Sequence, residues 1–289
     1  MKKVAVVTDS IACLPRELVE RHRIGIVPLN ILFEGRVYRD WIDITPTEAY
    51  NLFLKNPDDW ATSAPAPGEF LTAYYEASKQ AENIVCITLS SQLSSTHDMA
   101  LTAREIVQKE KPDLKIVVID SSTAAAAEGF IALAAARTAD AGALLDEVVK
   151  AALSIKEKVN IYVLLDTIRH VYRSGRIPKV AAQAGSLLNI RPVFHVRGKV
   201  HLSGVVRSRE RGISRIFEKV QTQAGGKPIH AAVMHVHAPE AATELTERVS
   251  RTFNCMELWQ SDFSPLMGYA CGTGTLALAY YPEVPDGGK

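Results

Sequence analysis

The sequence predicts an α/β protein of two domains, the N-terminal one with a mainly parallel sheet flanked by helices and the C-terminal one with a mixed sheet and helices. Three observations carry this. Short apolar runs alternate with helix-length amphipathic stretches, the pattern of βαβ units. The chain has 289 residues, about two domains' worth at roughly 150 residues each. Near Val159 to Asp166 the pattern changes and a hairpin signature follows, so the boundary is placed there, with domains over 1–160 and 161–289.

The elements follow in order. Val4 to Val7 is a buried strand ending at Thr8-Asp9-Ser10, and a helix runs from about Pro15 to His22. Ile24 to Phe33 is β-rich, with a hairpin turn at Glu34-Gly35-Arg36. Thr45-Pro46-Thr47-Glu48 starts a helix, since a hydroxyl, a proline and a glutamate three residues on satisfy free N–H groups. Asn56 to Asp59 ends it, and Thr62 to Phe70 reads as a loop entering the next helix. Strands at Ile84 to Leu89 and Lys115 to Ile119 flank a helix from Thr96 to Lys109. An alanine-rich helix and one over Leu144 to Glu157 complete the first half. In the second half, helices are expected over 167–172 and 179–188, then a hairpin of Arg191 to Val196 and Val200 to Val206 turning at Arg197-Gly198-Lys199. A helix from Arg209 to Gln223, a strand Ile229 to Val236, a helix from Pro239 and strands at Phe253 to Trp259 and Leu276 to Tyr281 finish the chain.

Composition excludes several functions. Lys plus Arg number 33 against 32 acids, a net charge of +1. Phosphate neutralisation needs a basic excess, so no nucleic-acid partner is expected. No run approaches the ~20 apolar residues of a membrane span, because Glu128, Arg137 and Asp140 break the richest stretch. Stable membrane insertion is therefore not expected. Cys13, Cys86, Cys255 and Cys271 are scattered, fitting no metal cage and a reducing, cytoplasmic setting.

Hydroxyl clusters carry the chemistry. Thr8-Asp9-Ser10, Ser90 to Thr96 and Ser121-Ser122-Thr123 each follow a strand, and Thr62-Ser63 adds a fourth. Ligands of open α/β sheets bind beyond the carboxyl ends of strands, where helix N-termini favour anions. Thr62 and Ser94, if they converge, make a cradle for a carboxylate or phosphate; each cluster alone reads first as a set of helix caps, and four together point to a site. Covalent chemistry has no footing, since neither a G-x-S-x-G elbow nor a phosphate-binding P-loop occurs. Gly272-Thr273-Gly274 lies too near the C-terminus for a dinucleotide fingerprint and reads as a loop that lets backbone approach a ligand. His235 and His237 on one strand face would make a metal pair, but no third ligand has the spacing, so no metal or cofactor is expected. Arg169, Arg173 and Arg176 form a basic stripe, which is either solvated surface or a docking site.

Taken in order, the motifs resemble the DegV family of bacterial fatty-acid-binding proteins. They are Val7-Thr8-Asp9-Ser10, Thr62-Ser63-x-Pro-x-Pro-Gly-Glu-Phe70, Leu89 to Thr96, Asp120-Ser121, Ser174-Gly175-Arg176-Ile177, Gly185 to Pro192, Arg207-Ser208-Arg209 and Gly268-x-x-x-Gly272-x-Gly274. The likeness spans residues 3–281. It implies two α/β domains with one long-chain fatty acid bound between and within them, its carboxylate on Thr62 and Ser94. It implies a lipid carrier, not itself an enzyme, that presents the acid to a separate ATP-dependent fatty-acid kinase. Ser63, Ser95, His97, Tyr269 and Gly272 are then secondary head-group contacts, and Arg169, Arg173 and Arg176 the kinase-docking stripe. One departure stands out: the family's histidine in the loop near the C-terminus is Ala270 here, leaving His97 or Tyr269 to compensate. Two readings compete with the carrier: an enzyme acting on another small carboxylate or phosphate, and a lipid sensor with a protein partner.

Overall fold

The computed structural model describes residues 2–166, 174–176 and 190–283. The helices expected over 167–172 and 179–188, with Arg169 and Arg173, lie outside the described residues. The chain forms two compact units, Met1–Glu157 with Ser264–Leu266, and Lys158–Phe263 with Met267–Lys289. Its fold is α/β as expected, one unit holding a parallel sheet and the other a mixed one.

In the first unit, strands β1 (Lys2–Asp9), β2 (Gly25–Val27), β6 (Ala81–Thr88) and β7 (Lys115–Asp120) pair in the order β2-β1-β6-β7, all parallel. Val4, Val7 and Ile84 to Ile87 are fully buried, as a sheet covered on both faces requires. Helices α3 (Pro67–Ser78) and α4 (Thr96–Glu110) cover one face, where Phe70, Tyr74, Ala100 and Val107 pack on Val7 and Ile84. The alanine-rich helix α5 (Ala126–Asp140) packs against β1; a Cβ on its Gly129 would lie 2.7 Å from the Ala12 carbonyl oxygen, so the close approach needs glycine. Helices α1 (Arg16–His22) and α6 (Leu145–Lys158) complete the layers.

A separate antiparallel sheet joins β3 (Asn30–Phe33), β4 (Arg36–Arg39) and β5 (Trp60–Ser63) in the order β4-β3-β5. Glu34 and Gly35 turn the hairpin with φ of 50° and 73°, the signature of a tight two-residue turn. Helix α2 (Pro46–Lys55) starts with the expected capping box: Thr45 Oγ1 accepts from Glu48 N at 3.3 Å and Thr45 N donates to Glu48 Oε2 at 2.9 Å. Strand β5 corrects the expectation of a loop over Thr62-Ser63, because Thr62 sits in register with Ile31.

In the second unit, β8 (Asn160–Leu164), β9 (Arg191–Arg197), β10 (Lys199–Val206), β11 (Ile229–His235), β12 (Cys255–Asp262) and β13 (Leu276–Pro282) order as β10-β9-β8-β13-β11-β12. Only the β11–β12 pair is parallel. Helices α7 (Arg209–Ala224) and α8 (Pro239–Thr252) bury Ile216, Phe217, Leu245 and Val249 with Leu164 and Tyr280. A Cβ on Gly212 of α7 would lie 2.5 Å from Leu164 Cδ1. Helix α9 (Pro265–Cys271) corrects the loop expected before Gly272.

Candidate functional site

The parallel sheet has its topological switch point between β1 and β6, where connections leave in opposite directions and ligands ordinarily bind. Asp9, at the carboxyl end of β1, fills that place with its own carboxylate. Its Oδ1 accepts from Ile11 N at 2.9 Å and its Oδ2 from Leu89 N at 2.9 Å. An internal anion thus takes the N–H groups that an external one would use. Thr8, Asp9 and Ser10 are all buried, and Ser10 Oγ accepts from Leu29 N at 3.2 Å.

The other clusters divide in the same way. After β7, Ser121 Oγ donates to the Thr123 carbonyl at 3.1 Å, while Ser122 N donates to Asp120 Oδ1 at 2.7 Å. Ser91 Oγ donates to Asp120 Oδ2 at 2.6 Å. The Ser121 hydroxyl closes its own turn, which is the capping role, and the Ser91 hydroxyl is held by Asp120 at the end of β7. Ser94 differs. It is half-buried in the turn before α4, accepts from Thr96 N at 3.3 Å, and lies 2.9 Å from Thr96 Oγ1. With Thr96 as donor in both contacts, the Ser94 proton is free to point outward. His97 is half-buried one residue further on and uses Nδ1 against Thr88 Oγ1 at 3.0 Å, which leaves Nε2 for another partner.

Thr62 is half-buried on β5, and Ser63 and Ser95 are exposed. Thr62 therefore belongs to the small antiparallel sheet and not to the parallel one whose strands precede the other three clusters. In the second unit Tyr269 is buried at 7% exposure on α9, beside Ala270 at 7%. Gly272 and Gly274 have φ of 83° and 86°, left-handed values that an L side chain rarely adopts. The Gly274 N–H donates to Val236 O at 2.9 Å, and a Cβ there would lie 3.0 Å from Asp166 Cβ. Asp166 Oδ1 accepts from Arg191 Nε at 3.0 Å and from Arg209 at 3.1 Å. Arg176 folds back on the Ser174 carbonyl at 2.6 Å.

The histidine pair is also corrected. Strand β11 ends at His235, and His237 follows with φ of 48°, so the two do not share a strand face. His235 Nδ1 lies 3.4 Å from Asp262 Oδ1. Among the described residues no group of three or more His, Cys, Asp and Glu side chains is arranged to hold a metal ion. No described helix is long and apolar enough to cross a membrane.

Three buried acids were not anticipated as a group. Burial pushes the Asp9 carboxyl up to about 7, against the pull of its two backbone donors. Burial likewise raises Asp40 to about 6; its Oδ2 accepts from Ser264 Oγ at 2.6 Å. Glu128 on α5 is wholly buried and raised well above the ordinary glutamate range, first by burial and then by the Asp9 charge. The signal was present: Glu128 is an acid in the first turn of an alanine-rich helix, followed by an apolar run up to Ala136. A cavity of about 340 Å³ lies elsewhere in the same unit, bounded by Ala5, Gly25 and Ile26 on one side and by Ala73 and Ala77 of α3 on the other. Neither Thr62 nor Ser94 lines it.

Comparison with known proteins settles the family. The model of the DegV family, described as uncharacterised proteins, matches residues 3–283. The chain belongs to the DegV family. Protein DegV of Bacillus subtilis is 33% identical over 280 residues, covering 96% of this chain and 98% of that one. A DegV domain-containing protein of Streptomyces coelicolor is 35% identical over 280 residues, with the same coverage. Among solved structures, a DegV family protein of Thermus thermophilus described by its fatty-acid binding superposes with a TM-score of 0.88 at 27% identity, over 98% of this chain and 100% of that one. Bacillus subtilis DegV, described as a fatty acid binding protein, gives 0.87 at 31% identity over the same shares.

Proposed function

We propose that this DegV family member binds one long-chain fatty acid, with Thr62 and Ser94 holding the carboxylate. The observation that carries the reading is full-length similarity, at 27% and 31% identity, to two solved DegV proteins described as fatty-acid binding. The half-buried hydroxyls of Thr62 and Ser94 support the head-group assignment: they are donors without charge, outside the closed caps of the other clusters. Ser63, Ser95, His97, Tyr269 and Gly272 are the secondary contacts of this reading. Ala270 stands where the family carries histidine, so His97, with Nε2 available, takes over the supporting donor.

Affinity comes mainly from the chain. Each buried methylene contributes about 0.8 kcal/mol, so ~14 of them supply roughly 11 kcal/mol before the costs of ordering. A few neutral donors then suffice to orient the head. The protein on this reading is a carrier and not a catalyst, and it presents the acid to a separate ATP-dependent kinase that docks on Arg169, Arg173 and Arg176. The test of docking is direct: a charge-reversed triple variant at those arginines keeps lipid but loses kinase-dependent phosphorylation. Unchanged phosphorylation would remove the stripe from the account.

A further inference from the structure

The acids beneath the Ser94 turn have a role that capping and packing do not explain. Glu128 Oε1 accepts from Thr8 Oγ1 at 3.2 Å, while Glu128 Oε2 is buried with no partner as a bare carboxylate. Asp9 lies within hydrogen-bonding reach of Glu128. Two ionised carboxyls cannot share such a dry site, whereas one proton between them satisfies both. The titratable groups that face the pair are Asp40 from the segment after β4, Cys13 beyond the first turn after β1, Cys86 on β6 and Asp120 on β7, all of them acids or thiols.

Asp9 reaches the candidate site through the backbone. Its Oδ2 holds Leu89 N, and the next residue, Ser90, accepts from Leu93 N at 2.9 Å and Ser94 N at 3.3 Å. Ser90 Oγ accepts from Gln92 N at 3.3 Å, and Ser90 is fully buried. The Ser94 turn therefore hangs from an anchor that Asp9 fixes. We propose that the Asp9–Glu128 pair is the positioning device of the Ser94 turn: Glu128 keeps its proton and donates it to an ionised Asp9, and ionised Asp9 holds Leu89 so that Ser94 presents its hydroxyl. This rests on the reading of Ser94 as a head-group contact. Adding a proton to Asp9 removes the charge from both backbone hydrogen bonds and loosens the turn, so retention of an anionic lipid falls on acidification through neutrality.

The experiment measures binding of palmitate and of hexadecanesulfonate, whose head stays ionised, to the full chain from about pH 8 to about pH 6, with backbone exchange at Leu89 followed in the lipid-free protein. Both affinities should fall about tenfold, one charge-assisted hydrogen bond's worth, and Leu89 protection should fall with them. Asp9→Asn should flatten the profile, while Glu128→Gln, which keeps a neutral donor, should retain it. Glu128→Leu removes that donor and should move the midpoint upward, which decides the matter if Asp9→Asn does not fold. A flat wild-type profile, an Asp9→Asn profile like the wild type's, or Leu89 protection indifferent to pH would overturn the proposal. Failure of both ligands to bind at any pH would instead overturn the carrier reading, and the Leu89 exchange would still decide the role of the pair.

Discussion

At the scale of residues, the account turns on which hydroxyls are spent and which are available. Ser10, Ser91 and Ser121 are engaged with Leu29 N, Asp120 and the Thr123 carbonyl, whereas Thr62 and Ser94 are half-buried and are the proposed carboxylate donors. Thr62→Ala with Ser94→Ala should therefore weaken binding of a long-chain acid about tenfold more than binding of its methyl ester, as titrations of both ligands would show. Equal losses would remove the carboxylate from these residues. A second prediction concerns packing. Gly129→Ala places a Cβ 2.7 Å from a backbone carbonyl that cannot move aside, so it should destabilise the first unit by about 1–3 kcal/mol in chemical denaturation. Both residue types were visible in the sequence, but their situations were not. Serines that cap and serines proposed to bind have the same spacing, and only the hydrogen-bond partners separate them. Glu128 announced itself as an acid ahead of an apolar run, yet its partner Asp9 lies far off in sequence, on another element.

At the scale of elements, strong local chemistry was legible and weak chemistry was not. The capping box at Thr45 and Glu48 and the turn at Glu34-Gly35 appear as expected, because each is satisfied within a few residues. Thr45→Ala should cost about 1 kcal/mol of stability, and a thermal melt that leaves α2 unaffected would show the box to be redundant. Strand β5 was missed because it has only 4 residues, too few for a period-two pattern to register, and its pairing with β3 is settled by tertiary contact. Helix α9 was missed for a related reason: Gly268 lowers helix propensity in a 7-residue segment, and burial of Leu266, Tyr269 and Ala270 outweighs it. The missed strand carries Thr62 and the missed helix carries Tyr269, so two of the residues singled out in the sequence lie on its least legible elements.

At the scale of the whole molecule, the fold class was legible from alternation alone, and the family from motifs in order. The buried acids add a property that composition hides. Asp9 and Asp40 are raised to about 7 and about 6, and Glu128 well above the ordinary glutamate range, so between pH values near 4 and 7 the folded chain holds protons that the unfolded chain has released. Their contribution is fully present below the unfolded carboxyl range and is lost as pH rises through the folded values, at about 1.4 kcal/mol per pH unit for each proton held. His195, lowered to about 4 by burial, pulls the other way below the ordinary histidine range. The melting temperature should thus fall as pH rises from about 4 to about 7, and Glu128→Gln should make the fall shallower. A melting temperature that rises over this range would show the acids to be ionised in the fold. The near-zero net charge fits the same picture, because a ligand with a single negative charge needs local donors and no basic field. The most direct test of the central claim is native mass spectrometry of the full chain purified from a heterologous host, followed by lipid extraction. The account predicts one co-purifying fatty acid per chain, of roughly 16 to 18 carbons, the length of common membrane acyl chains. A lipid-free protein whose melting temperature is unmoved by added long-chain acids would contradict it.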